Sequence, residues 1–395
     1  MKRNSKIFSF LFAGIISCLA VLPATGCVQN ENASIDGFSS MKIIKLSDGT
    51  TYTPTISASP SEKTEISLLS GEIYEVCKFY EPLITDGYNE NGTDVFAPTP
   101  LSISWECADK PLYSTLYIST NEDMSNAEGY VTLDNSVTLE YLFMGYDYYY
   151  QIEAKYSDKL VKSRIFSFST EYLPRTVYVD DNVSNTRDWG GYLCDDGIHR
   201  VKQGIVYRGG KLENITESGK AVMLNHLGIK TDLDVRGDGT AGTSTSPLGA
   251  SVNYIETTGP YYLGTTGINV AGPYREALLT EIRAFTKPEN FPIYVHCSLG
   301  RDRTGTLCFL INALLGVGET DLYRDYEISM MSAMGHADGQ TASHMVGVAF
   351  AGLYNYFKSY YGNTYAKKVE TYMLEIGITK EEIQLIKDNM LEEVK

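Results

Sequence analysis

The run Ile293-Tyr294-Val295-His296-Cys297-Ser298-Leu299-Gly300-Arg301-Asp302-Arg303-Thr304-Gly305 decides the fold. Three β-branched or aromatic residues read as an apolar strand, a short polar loop follows, and Thr306 to Leu315 is an apolar run of helical length. Cys297 and Arg303 enclose five residues. A loop of this size between a strand and a helix turns backbone N–H groups inward and adds the positive end of the helix dipole, which suits a tetrahedral dianion.

The same field stabilises a thiolate at Cys297, and His296 beside it is a source of hydrogen-bond support. Arg303 supplies a planar fork for two phosphate oxygens, and Thr304 can donate its hydroxyl to the sulfur when the cysteine leaves. Ser298, Leu299, Gly300, Arg301 and Gly305 complete the expected phosphate-binding wall. These residue types imply phosphomonoester hydrolysis through a phosphocysteine. A general acid must also stand beside the phosphate. Asp302, inside the loop, is preferred for that role, and Asp238, on a Gly-rich segment able to close as a lid, is the alternative.

Outward from the loop, residues 173–395 alternate helical and strand patterns, which predicts an α/β sheet. Helices are expected near Glu217 to Leu227 and Tyr274 to Phe285, and a strand over Lys230 to Val235. Thr379-Lys380-Glu381-Glu382 is a capping box opening the last helix. Gly237 to Gly272, rich in Gly, Thr and Ser, reads as a long loop bordering the site. Residues 61–172 show short alternating runs, among them Leu101 to Trp105, Ser114 to Ile118, Tyr148 to Ala154 and Ile165 to Phe168, the pattern of an all-β sandwich. Trp105, Leu142, Tyr148 and Ile152 resemble the core Trp and tyrosine corner of a fibronectin type III domain.

Residues 27–60 are polar and read as a tether. Residues 1–26 read as an export signal: Lys2, Arg3 and Lys6 are basic, Ile7 to Leu22 is apolar, and Ala24-Thr25-Gly26-Cys27 resembles a lipobox. The apolar run is shorter than a bilayer span. The expectation is a lipid on Cys27 and an extracytoplasmic body tethered to a membrane or cell surface.

Composition narrows the partners. The chain has 395 residues with 33 Lys+Arg against 49 Asp+Glu, a net charge of −16, so it carries no global field to gather nucleic acid. An anionic substrate must be caught locally. Of seven cysteines, Cys18 lies in the signal and Cys27 takes the lipid, leaving five: Cys77, Cys107, Cys194, Cys297 and Cys308. None has zinc spacing, so neither a metal nor another cofactor is expected. Cys77 with Cys107 is one pairing to consider against two buried free thiols, and Cys194 is a remote candidate for a redox partner of Cys297. His199, His226, His336 and His344 have no metal-ligand spacing.

His-Cys-x5-Arg-Thr-Gly resembles the signature loop of the cysteine-dependent protein tyrosine phosphatases. Gly300-Arg301-Asp302-Arg303 is similar to the Gly-Lys-Asp-Arg of a bacterial branch that also acts on phosphoserine, phosphothreonine and phosphoinositides. Asn185-Thr186-Arg187-Asp188-Trp189-Gly190-Gly191, Val206-Tyr207-Arg208-Gly209, Leu227-Gly228-Ile229, Asp234-Val235-Arg236 and Arg324-Asp325-Tyr326 match further pieces of that branch. The resemblance implies a tyrosine-phosphatase-like central sheet flanked by helices, and His296, Arg187, Asp234, Arg236 and Asp238 are candidates for contact with the substrate or for support behind it, with Asp188 and Asp234 read as structural. For Arg187, Arg208 and Arg236 the competing reading is burial in ion pairs with Asp188 or Asp234. Phosphorylated proteins or small phosphomonoesters are the expected substrates. An inositol polyphosphate phosphatase and a surface adhesion protein with an inactive phosphatase domain are the rivals, and the partner of the β-sandwich is open.

Overall fold

The structure is a computed structural model that describes residues 101–107, 109–170, 172, 175–237, 245–258, 268–332 and 351–394, with short strand pieces at 42–43 and 50–52. Cys27, Cys77, Asp238, His336 and His344, and with them the expected signal and most of the tether, lie outside the described residues.

Alternation of apolar and polar residues makes two sheets of the first part. In one, β1 (Lys42–Ile43), β3 (Leu101–Glu106) and β6 (Ser136–Leu139) lie in the order β1-β3-β6. In the other, β2 (Thr50–Tyr52), β9 (Phe166–Thr170), β7 (Asp147–Lys155), β4 (Tyr113–Ser119) and β5 (Glu128–Thr132) follow one another, with β8 (Leu160–Lys162) on β7. The inward positions of both sheets share one core: Leu101, Ile103 and Trp105 meet Leu116, Tyr150, Ile152 and Phe168. The Phe143 N–H donates to the Tyr148 hydroxyl at 2.6 Å, pinning the turn before β7 to its strand. Two short pieces of the expected tether, β1 and β2, take part as edge strands.

The second part is built on a five-stranded sheet in the order β10-β12-β15-β13-β14, from β10 (Arg187–Asp188), β12 (Val206–Gly209), β13 (Thr231–Asp234), β14 (Asn253–Glu256) and β15 (Ile293–His296). The last four run parallel, and β10 is antiparallel to β12. Strand β15 lies mid-sheet and is buried along its whole length. A separate pair, β11 (His199–Val201) with β16 (Leu391–Glu393), ties the C-terminus to the sheet's flank. The segment expected as one long loop after Gly237 contains β14, which pairs in parallel with β13. Four residues, exposed at both ends and half-buried between, give too short an alternation to stand out in sequence.

Helices α1 (Glu217–Ala221), α2 (Arg275–Ala284), α3 (Asp302–Leu315), α4 (Glu319–Glu327), α5 (Ala351–Lys358), α6 (Tyr365–Ile376) and α7 (Lys380–Met390) complete the described fold. α1 continues into a π-helical turn, Val222–His226, where one continuous helix was expected. α3 begins four residues before the apolar run and is buried from Thr304 to Leu315. Its end is set by Gly316 in the left-handed conformation. Trp189 donates its indole N–H to Asn312 at 2.7 Å, so a large aromatic buried against α3 keeps its polar atom satisfied. The capping box at Thr379 and Glu382 is present in both directions.

Candidate active site

The sheet register assembles the site. Gly209 on β12 and Asp234 on β13 both stand opposite His296 on β15. Three chain segments therefore leave the sheet side by side at the carboxyl ends of parallel strands, where α/β sheets bind ligands. Cys297 is the first residue beyond that edge and is buried.

Every carbonyl from Cys297 to Arg301 is engaged by surrounding structure. The Cys297 carbonyl lies 3.2 Å from His296 Nδ1. The Ser298 carbonyl accepts from the Lys211 N–H at 3.3 Å, and that of Leu299 from the Asn185 side-chain amide at 2.9 Å. Arg208 donates to Gly300 O at 2.7 Å and to Arg301 O at 3.3 Å. In a trans peptide the N–H of the next residue points opposite to the carbonyl. Five carbonyls turned to the scaffold leave the N–H groups of residues 298–302 facing the loop's own concavity, an anion-binding nest at the start of α3. The helix cap agrees: Arg301 occupies the N-cap position and makes no side-chain capping bond. Gly300 is obligatory here. Its φ is +66°, and an added Cβ would stand 2.2 Å from the Gly209 carbonyl oxygen.

Burial pushes the Cys297 thiol up, but the neighbouring Thr304 and the Arg303 charge favour the thiolate. Against opposition from Asp302, the balance lies below the ordinary thiol range. Arg303 donates to the Arg236 carbonyl at 2.8 Å. Arg301, buried, forks onto its neighbour Asp302 at 2.7 and 3.2 Å, and the Tyr326 hydroxyl donates to the same carboxylate at 3.1 Å. Asp302 is thus held rigidly at the first turn of α3.

The remaining arginines of the motif pieces act behind the loop. Arg208 and Arg187, both fully buried, share Asp325 on α4, with Arg208 bonded to Oδ2 and Arg187 to Oδ1 at 3.3 Å. Arg187 also holds Asn185, which in turn holds Leu299. Arg236 is bound by Asp234 and Glu213. All three are buried in ion pairs, but for Arg187 and Arg208 the partner is Asp325, not Asp188 or Asp234. Asp188 pairs instead with Arg175 at 2.6 Å.

His296 does not reach toward the sulfur through either ring nitrogen. Nε2 lies 2.9 Å from Asp232 Oδ1 and 4.0 Å from Asp234, while Nδ1 faces the Cys297 carbonyl. Burial alone would lower its pKa, but Asp232 and Asp234 prevail and push it up to about 9. This raised value means that the imidazolium contributes stability in full below its ordinary 6.5 and loses it as pH rises through about 9. Thermal midpoints between pH 6 and 10 are expected to show that fall, and Asp232→Asn to flatten it. An equal slope in the variant would refute the coupling.

Cys194 is not near Cys297. Its thiol donates to Leu315 O at 3.3 Å, at the far end of α3 from Asp302. Fourteen residues at 1.5 Å each separate the two ends by about 20 Å. Cys107, Cys194 and Cys308 are free thiols, each raised chiefly by burial. His199 pairs with Asp196, and His226 packs against Tyr141. Asp325, in the sequence only part of the matching Arg324-Asp325-Tyr326, is the counter-ion of Arg187 and Arg208, while Asp232 is a residue of the site that the sequence does not signal. Glu281 on α2 is another: buried, it accepts from the Thr257 hydroxyl at 2.5 Å and is pushed up to about 8 by burial, with the Arg303 charge opposing.

The tyrosine phosphatase family matches residues 180–392, more than half of the chain and all of this site. The chain belongs to that family. Within it, a candidate tyrosine-protein phosphatase of Cupriavidus necator is 28% identical over 170 residues, 37% of this chain and 60% of that protein. The chain thus spans about 60% of the length of that curated relative. The solved core catalytic domain of the PP-IP phosphatase SIW14 from S. cerevisiae is 17% identical, covering 38% of this chain and 84% of that one with a TM-score of 0.24. In this family member the loop from Cys297 to Gly305 is held from behind by Arg208, which is itself paired with Asp325.

Proposed function

We propose that this tyrosine phosphatase family member is a cysteine-dependent phosphomonoester hydrolase, acting on phosphotyrosine in proteins and on phosphoserine, phosphothreonine or phosphoinositide as further substrates. The observation that carries the reading is the set of five loop carbonyls turned outward around the buried Cys297 thiol. In the reaction, Cys297 attacks phosphorus while the ester P–O bond breaks, and Arg303 and the loop N–H groups hold the equatorial oxygens. The leaving oxygen takes a proton from Asp302. Water then displaces the sulfur, Asp302 takes its proton, and the Thr304 hydroxyl stabilises the departing thiolate. Turnover of phosphotyrosyl peptide by the full chain, insensitive to chelator and abolished by vanadate and thiol alkylation, is the test. Loss with chelator and recovery with a divalent ion would reverse the reading.

The acid assignment has its own test. An acid matters most when the leaving oxygen is basic, so Asp302→Asn is expected to slow a tyrosyl phosphate by roughly 100-fold and a nitrophenyl phosphate much less. If Asp238→Asn shows that leaving-group dependence and Asp302→Asn does not, the acid is Asp238.

The basic start, the apolar run and the small residues before Cys27 support a lipid-anchored, extracytoplasmic location. Cys27→Ser is expected to move the protein from the membrane fraction to the soluble one, or to block its processing. Unchanged processing and membrane association would point to another anchor.

A further inference from the structure

Among the described residues, the turn Tyr141-Leu142-Phe143-Met144-Gly145-Tyr146, which precedes β7, is bonded to the α/β part. Gln203, buried, donates to Met144 O at 2.7 Å and accepts from Met144 N–H at 2.9 Å. Arg200 donates to Gly145 O at 3.0 Å and lies 3.6 Å over the Tyr146 ring. Arg175, also buried, reaches both ways. Nη2 and Nε donate to the Tyr141 and Leu142 carbonyls at 2.6 and 3.1 Å, while Nη1 donates to Asp188 at 2.6 Å and to the Tyr207 hydroxyl at 3.3 Å. Tyr141 adopts φ +60°, a conformation that a bulky residue keeps only where its surroundings hold it.

The register shows where this joint leads. Asp188 stands opposite Tyr207, and the next rung of the same two-stranded ladder is Arg187 opposite Arg208. The first rung is clasped by Arg175 and completed by the Gly190 and Gly204 N–H groups, which donate to Asp188 at 2.8 and 2.7 Å. The second rung shares Asp325, and its Arg208 carries the Gly300 and Arg301 carbonyls. Adjacent residues of one strand pair therefore hold the β-rich part on one rung and the nucleophile loop on the other.

We propose that Arg175 is a positioning residue and that the β-rich part, through the 141–146 turn, helps to set the geometry of the Cys297 loop. The proposal rests on the phosphatase reading only for its activity readout. A buried arginine bonded to two carbonyls and a carboxylate has a fixed place, and breaking such a set leaves polar groups that must find new partners. The displacement is then felt at the neighbouring rung.

The test uses the full chain with Arg175→Met, which cuts the joint on both sides, and Gln203→Leu, which cuts only the docking to Met144. Three quantities are measured well below each variant's thermal midpoint: kcat on a nitrophenyl phosphate, affinity for vanadate, and the pH dependence of Cys297 alkylation. The expected result is a fall in kcat of roughly tenfold or more, weaker vanadate binding, and an alkylation profile shifted to higher pH, because a displaced loop stabilises the thiolate less. A lower midpoint with kcat, vanadate affinity and alkylation profile unchanged would overturn the proposal and leave the joint a purely stabilising contact. Should Arg175→Met not fold, Gln203→Leu carries the same comparison. Alkylation is independent of turnover, so an inactive wild type with a joint-sensitive thiol would sink the hydrolase reading and keep this one.

Discussion

Cys297→Ser is expected to leave a folded protein whose turnover of aryl phosphate falls by roughly 10⁴-fold or more. The loop depends on carbonyls held by His296, Lys211, Asn185 and Arg208, and none of these contacts uses the sulfur. An alcohol is much less acidic than a thiol, so the neighbouring Thr304 and the Arg303 charge that bring the thiol below its ordinary range cannot make serine anionic near neutral pH. Oxyanion binding should persist, since the N–H nest is untouched. Steady-state kinetics together with calorimetric titration of vanadate check both halves, and a variant retaining activity near wild type would rule out the covalent route.

Asp325→Ala is expected to cost about 3–5 kcal/mol of stability, the range for removing one partner of a buried ion pair. Two fully buried guanidinium groups, Arg187 and Arg208, depend on this single carboxylate. Burial and the neighbouring Arg208 charge already hold Arg187 below the usual arginine range. Without Asp325 the two cations repel each other with no counter-charge, and Arg208 is pulled from the Gly300 and Arg301 carbonyls. Asp325→Asn keeps hydrogen-bonding capacity while losing charge and should fall between the two. Urea unfolding monitored by tryptophan fluorescence measures the loss. A cost below about 1 kcal/mol for the alanine variant would show that the cluster does not bear on stability.

The strand, loop and helix that carry Cys297 and Arg303 were legible because their relation is local. Five intervening residues between a β-branched strand and an apolar helix leave the backbone few ways to turn, and Gly300 stands where only glycine fits. The two-sheet alternation around Trp105 and the capping box at Thr379 were legible for the same reason, since both are patterns within a few residues. Short elements were not. β14 and the π turn after Ala221 are four and five residues long, and neighbouring structure decides them.

The sequence by itself determined the strand–loop–helix that presents Cys297 and Arg303, the order of the β-rich and α/β parts, and the acidic balance of the chain. Only the tertiary structure decided which charge meets which: Arg187 and Arg208 with Asp325, His296 with Asp232, Asp188 with Arg175. An arginine's sequence is equally compatible with any carboxylate, and Asp188, next in the chain to Arg187, is the nearer choice on paper. Adjacent residues on a strand point to opposite faces, so Arg187 and Asp188 are turned apart, and the choice passes to whatever the sheet register and the helices bring to each face.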